Sequence, residues 1–84
     1  MIDLLYFAWV RERIGRDGET LPCPAGVATV ADLLDWLVAR SPAHAAALAD
    51  RSAIRVAVDQ AFAGLDTPVS DGCEVAIFPP VTGG

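Results

Sequence analysis

Cys73-Glu74-Val75-Ala76-Ile77-Phe78-Pro79-Pro80-Val81-Thr82-Gly83-Gly84 reads as a strand that runs directly into a tail. Over its first half the side chains alternate. Cys73, Val75 and Ile77 share one face, and Glu74, Ala76 and Phe78 share the other, the period of two expected of a strand. At Pro79 the pattern changes. Pro79 and Pro80 fix φ and favour an extended, polyproline-like path. Val81 and Thr82 are β-branched and stiff. Gly83 and Gly84 carry no side chain, so their backbone passes through a slot too narrow for any other residue. Six residues beyond Phe78, at about 3.3 Å each, reach about 20 Å. The chain therefore divides into a body, residues 1–78, and an arm, residues 79–84, with a carboxylate at Gly84. A frayed terminus is the ordinary alternative for such a stretch, so the body has to decide between them.

Upstream of this strand, Asp71-Gly72 is a tight turn and Gly64 to Ser70 a loop. Ala53 to Asp59 alternates again, with Ile54, Val56 and Val58 facing inward and Arg55, Ala57 and Asp59 outward. Asp59-Gln60 is a turn, after which Phe62 begins a short return strand. Thr29 is an N-cap with Asp32 at the third helical position. Val30, Leu33, Leu34, Leu37 and Val38 then follow at helical spacing. Ser41-Pro42 restarts a short Ala-rich helix through Ala49, anchored by Leu48. At the start of the chain, Ile2 to Ala8 alternates as a strand. Trp9 to Ile14 is short and mixed, read as one helical turn. Gly15-Arg16-Asp17-Gly18 turns into a second strand, Glu19 to Cys23, which Pro22 and Pro24 confine to a sheet edge.

The order strand, strand, helix, short helix, strand, short strand, strand predicts an α+β fold, a mixed sheet of about five strands covered on one side by one main helix and one short one. Ile2, Leu4, Tyr6, Ile54, Val56, Val58, Val75 and Ile77 form the covered side. The opposite side carries Leu5, Phe7, Ala57, Ala76 and Phe78, with Phe62 nearby. An open sheet face is normally polar, so large aromatics there, at the root of the arm, point to a partner-docking patch. Shielding of Phe7 and Phe78 by the Trp9–Arg16 segment is the competing reading.

Eighty-four residues make one small domain. With 54% hydrophobic residues and a mean hydropathy of +0.42, it has more apolar surface than so small a core can hide. Eleven acidic residues against six basic give a formal charge of −5, and every basic residue is Arg. That balance, without a basic cluster, argues against nucleic acid and anionic membrane as partners. No apolar run approaches the ~18–20 residues that cross a bilayer, and Met1-Ile2-Asp3-Leu4 has no basic leader region. The expected location is the cytoplasm. Cys23 and Cys73 have no metal-ligand spacing and read as small buried hydrophobes. His44 is alone, no metal set is apparent, and no nucleophile–base set suggests independent catalysis.

Tyr6-Phe7-Ala8 followed by Val10-Arg11-Glu12, the Asp71-Gly72 turn and the terminal Phe78-Pro79-Pro80-Val81-Thr82-Gly83-Gly84 resemble the small, sulfur-carrying subunit of molybdopterin synthase, over the whole chain. The resemblance implies the ubiquitin-like β-grasp fold. It implies that an E1-like adenylating enzyme, using ATP and magnesium, activates the carboxylate of Gly84, and that a sulfur donor converts it to a thiocarboxylate. Pro79, Pro80, Val81, Thr82 and Gly83 then carry Gly84 into the large synthase subunit, where sulfur passes to a cyclic pyranopterin monophosphate. Phe7, Phe62 and Phe78 would pack against that subunit, in a heterotetramer, and the chain itself would bind no cofactor. Cys23 and Cys73 lie outside the family's pattern. Two other readings share the Gly-Gly ending: a sulfur carrier for thiamine thiazole synthesis or tRNA thiolation, and a ubiquitin-like protein modifier.

Overall fold

A computed structural model describes residues 1–80. The first strand, β1, spans Ile2–Tyr6. Ile2, Leu4 and Tyr6 are buried, whereas Asp3 is exposed and Leu5 half-buried. The strand stops earlier than the alternation suggests. Phe7 is still extended, but Ala8 has φ 52, and this left-handed residue turns the chain into α1, Ala8–Ile14. A seven-residue helix replaces the single turn expected, so the fold has three α-helices rather than two. The physical reason is an apolar pair four residues apart: Val10 and Ile14 stack on one side of α1 and are both buried. Gly15, at φ 90, closes the helix by donating its N–H to the Arg11 carbonyl.

The second strand, β2, spans Gly18–Leu21 and pairs antiparallel with β1 from Ile2↔Leu21 to Leu5↔Gly18. It begins and ends earlier than the expected Glu19–Cys23. Pro22 cannot donate to a ladder and ends it. Gly18 can join because it has no side chain; a Cβ there would sit 2.5 Å from the Leu4 carbonyl oxygen.

The main helix, α2, is Val30–Arg40. Its start is a full capping box. The Thr29 hydroxyl accepts from the Asp32 N–H at 3.3 Å, and the Asp32 carboxylate accepts from the Thr29 N–H at 3.2 Å. Val30, Leu33, Leu34 and Leu37 form its buried stripe. Ser41 caps α3, Pro42–Leu48, with Pro42 in its first turn and Leu48 fully buried. A 3-10 turn, Arg51–Ala53, leads into β3, Arg55–Val58; then come β4, Ala61–Ala63, and β5, Glu74–Phe78.

The sheet order is β2-β1-β5-β3-β4. β1 and β5 are parallel at the centre, and every other pair is antiparallel. The parallel pair requires a crossover, which the helices supply. α3 packs against both α1 and α2, and the core fills the space between the helices and one sheet face, with Ile2, Leu4, Tyr6, Leu33, Leu34, Leu37, Val75 and Ile77 almost wholly removed from water. Val58, expected inside, is only half-buried. Cys23 and Cys73 are free and half-buried. Among the described residues no helix is long and apolar enough to cross a membrane.

Candidate functional site

The face of the sheet turned away from the helices changes character along the strands. At one end it is polar: Asp3 stands opposite Thr20 on one side and Glu74 on the other, and the Thr20 hydroxyl donates to Asp3 at 3.0 Å. One step further, Leu5 is level with Gly18 and Ala76, and Ala76 with Ala57. At the far end stand Phe7, Phe78 and Phe62. The Phe7 N–H donates to the Ile77 carbonyl at 3.1 Å, which sets Phe7 beside the end of β5. Phe62 is paired with Ala57 on β4, and its ring centroid is 6.1 Å from that of Phe78 at a tilt of 51°. The apolar end is the end from which the tail departs.

Two of these aromatics are open to water. Phe62 is 84% exposed and Phe7 46%, while Phe78 is half-buried. The Trp9–Arg16 segment leaves Phe7 and Phe62 exposed; Val10 and Ile14 are buried, and α1 packs mainly against α3. Exposing a large aromatic to water forgoes about 1.5–3 kcal/mol of burial; Phe7 and Phe62, beside half-buried Phe78, form an apolar patch at one end of an open sheet. Phe62, Phe78 and Pro80, with Arg55, Val56 and Ala63, line a groove of about 400 Å³.

Pro79 and Pro80 follow β5 with no regular structure and are half-buried. The predicted roles of Val81, Thr82, Gly83 and Gly84 lie outside the described residues. The structure thus brings Phe7, Phe62, Phe78, Pro79 and Pro80 to one end of one face.

A polar constellation on the helix side escaped sequence reading. The Glu19 side chain, on β2, is 5% exposed. Its Oε2 accepts from the Tyr6 hydroxyl at 2.7 Å and from His44 Nε2 at 2.7 Å, and its Oε1 meets Arg40 at 2.8 Å and Arg16 at 3.4 Å. His44 Nδ1 lies 2.6 Å from the Ser41 hydroxyl. Nε2 faces the carboxylate and Nδ1 faces the Ser41 hydroxyl, so both ring nitrogens have partners. Serine, histidine and glutamate in line resemble a catalytic relay, but the parts are committed elsewhere. The Ser41 oxygen is the N-cap of α3, accepting the His44 N–H at 3.1 Å. Both oxygens of Glu19 are occupied. Burial pushes Glu19 upward, but hydrogen bonds from His44 and Tyr6 and the charge of Arg40 outweigh it and hold the carboxyl below its ordinary range. Tyr6 is raised well above the usual phenol value by burial and by its bond to the Glu19 carboxylate. The cluster is a clamp joining β1, β2, α2 and α3. The one local signal for it was a histidine three residues after a helix-capping serine.

Comparison with known proteins settles what this body is. The ThiS family pattern matches residues 4–84. The chain belongs to the ThiS family. Its resemblance to the small, sulfur-carrying subunits of molybdopterin synthase holds over full length. It is 44% identical to the molybdopterin synthase sulfur carrier subunit of Escherichia coli (strain K12) and 37% identical to that of Haemophilus influenzae, each over 100% of both chains. Among solved structures it is similar to SAMP1, a small archaeal modifier protein, from Haloferax volcanii, with 33% identity, a TM-score of 0.75, and 99% of this chain and 98% of that one covered. The ubiquitin-like β-grasp expected for a member of the ThiS family is the fold observed.

Proposed function

We propose that this ThiS-family chain is the sulfur carrier of a molybdopterin synthase and is not an enzyme on its own. Full-length similarity to two named sulfur carrier subunits supports the reading most directly. The uncovered aromatic end of the sheet, at the root of the tail, supplies the surface such a subunit needs.

In this reading the Gly84 carboxylate attacks the α-phosphate of ATP on an E1-like adenylating enzyme, with magnesium, releasing pyrophosphate and leaving an acyl-adenylate. A carboxylate oxygen is a poor leaving group and AMP a good one, so the acyl carbon becomes reactive. Sulfur delivered by a donor at the sulfide level attacks it and displaces AMP, leaving a thiocarboxylate with no change of oxidation state. Phe7, Phe62 and Phe78 seat the body on the large synthase subunit, and Pro79 to Gly83 carry the terminus inside. The anionic sulfur then attacks a cyclic pyranopterin monophosphate; water returns Gly84 to a carboxylate, and a second delivery completes the dithiolene. Acid, base and oxyanion groups come from the large subunit. The work is done in the cytoplasm, in a heterotetramer, and this chain binds no cofactor of its own.

Intact-mass analysis of protein from a sulfur-competent host tests the reading. A gain of about 16 Da, sulfur for oxygen, is expected at Gly84, and deletion of Gly84 should abolish sulfur transfer while leaving the melting temperature unchanged. A thiocarboxylated protein that fails to convert the pyranopterin precursor with its large subunit would overturn it. Similarity to SAMP1 favours a second reading, a protein modifier. Isopeptide bonds from Gly84 to target lysines, with no sulfur-bearing form, would establish that one instead.

A further inference from the structure

Arg55 is the cation of the aromatic face. It opens β3 and stands opposite Phe78 in the register, on the wall of the groove that Phe62 and Pro80 share. Its Nη1 donates to the Ile54 carbonyl at 2.8 Å and to the Ser52 carbonyl at 3.3 Å. Those neutral acceptors aim the guanidinium without cancelling its charge. Among the described residues no carboxylate lies within ion-pair distance of it, whereas Arg16 and Arg40 share Glu19 and Arg51 holds Asp35. Arg13 stacks on the Trp9 ring at 4.6 Å. An oriented guanidinium whose Nη1 is engaged keeps its Nε–Nη2 edge free, and that edge, on an apolar collar, fits a carboxylate in the two-point geometry arginine favours. Water displaced from the aromatic groove by a partner would strengthen that pair. The chain is net negative, at −5 overall, so an acidic partner surface meets general repulsion that a cation at this groove locally offsets.

We propose that Arg55 is a specificity determinant of docking, pairing with a carboxylate side chain that the large synthase subunit places over the Phe62–Phe78 groove. This rests on the sulfur-carrier reading above and adds to it the charge of the partner's contacting residue. A rim charge acts on encounter rate and partner choice; a desolvated pair acts also on lifetime.

The test measures binding of the full chain to the large subunit from the same organism, for native protein, Arg55→Ala, Arg55→Lys, Arg55→Glu and Phe62→Ala. Arg55→Glu should weaken binding at least about thirtyfold and Arg55→Ala about fivefold, with Arg55→Lys recovering part of the loss. Raising salt from about 0.05 M to about 0.5 M should weaken the native pair more than the Arg55→Ala pair. Melting curves should coincide, because the side chain is exposed. Arg55→Glu binding within twofold of native, while Phe62→Ala still weakens it, overturns the assignment to Arg55 alone. If the native chain does not bind the large subunit, the sulfur-carrier reading fails, and this proposal with it.

Discussion

Glu19 carries more of the architecture than any other single polar side chain. Four partners from β1, α1's trailing turn, α2 and α3 converge on one nearly buried carboxylate. Replacing it with Gln leaves Arg40 and the His44–Tyr6 pair short of an anion; we expect a loss of about 2–3 kcal/mol at pH 7, below the full cost of an unpaired buried charge because Arg16 and Arg40 reach solvent. The pH dependence has a definite sign. The folded-state carboxyl titrates below its ordinary 4.5, so its stabilisation is present above that value and is lost as pH falls through the folded pKa. Denaturant midpoints taken between about pH 7 and pH 3 should fall for the native protein and fall less steeply for Glu19→Gln. The residual slope comes from Asp32 and Asp71, both also lowered, Asp32 by backbone donors at the α2 cap and Asp71 by the Cys23 N–H and the terminal amine. Tyr6 works the other way: its raised folded pKa means that stability is kept below about pH 10 and lost as the pH climbs beyond it. The Glu19 clamp was not legible in the sequence beyond the histidine placed three residues after the capping Ser41. Glu19 and His44 are 25 positions apart, and period-two and helical patterns report which face a residue takes, not which distant polar group awaits it. Phe7 and Phe78 were legible because each is an apolar residue on the wrong side of an alternating strand, and Phe62 because it sits on the return strand beside them.

Short elements depend on their ends, and the β3–β4 hairpin shows it. Two residues, Asp59 and Gln60, join the strands, and both have positive φ, 50 and 70. That is the conformation a two-residue hairpin wants and that residues with a Cβ resist, which is why Asn-Gly is the usual choice. Asp59 is compensated: its N–H donates to the Glu74 carbonyl at 2.8 Å and its carboxylate accepts the Glu74 N–H at 2.9 Å. Gln60 has no such bond among the described residues. Gln60→Gly should therefore stabilise the protein by about 0.5–1 kcal/mol, the left-handed penalty removed less the added entropy of glycine in the unfolded chain. Equilibrium denaturation decides it; a destabilised variant would mean the glutamine stem packs where we see exposure. The hairpin and the α2 capping box could be read from turn and cap chemistry, which is local. The true length of α1 and the early start of β2 could not, since each was fixed by tertiary contact: burial of Ile14 against the core, and close approach of Gly18 to the Leu4 carbonyl.

On the scale of the whole molecule, the sheet separates two jobs. Its helix side holds the core and the Glu19 clamp, so stability is concentrated there; its open side grades from Asp3, Thr20 and Glu74 to Phe7, Phe62 and Phe78, and contributes little to folding at the aromatic end. A mutation at that end should consequently change association without changing the fold. Phe7 is the sharpest probe. It is 46% exposed, its backbone N–H, which a substitution keeps, makes the bond to Ile77, and the residue after it, Ala8, already fixes the turn into α1. Phe7→Arg places a cation in the middle of an apolar contact, where desolvating it would cost several kcal/mol. We expect a melting temperature within about 4 °C of native, since a surface change of about 0.5 kcal/mol moves a domain of this size by about 2–4 °C. Binding to the large synthase subunit should be lost in the same preparation. Unfolding of this variant would show that Phe7 supports the core, whereas intact binding would move the interface off the aromatic end of the sheet and leave the tail alone to account for recognition.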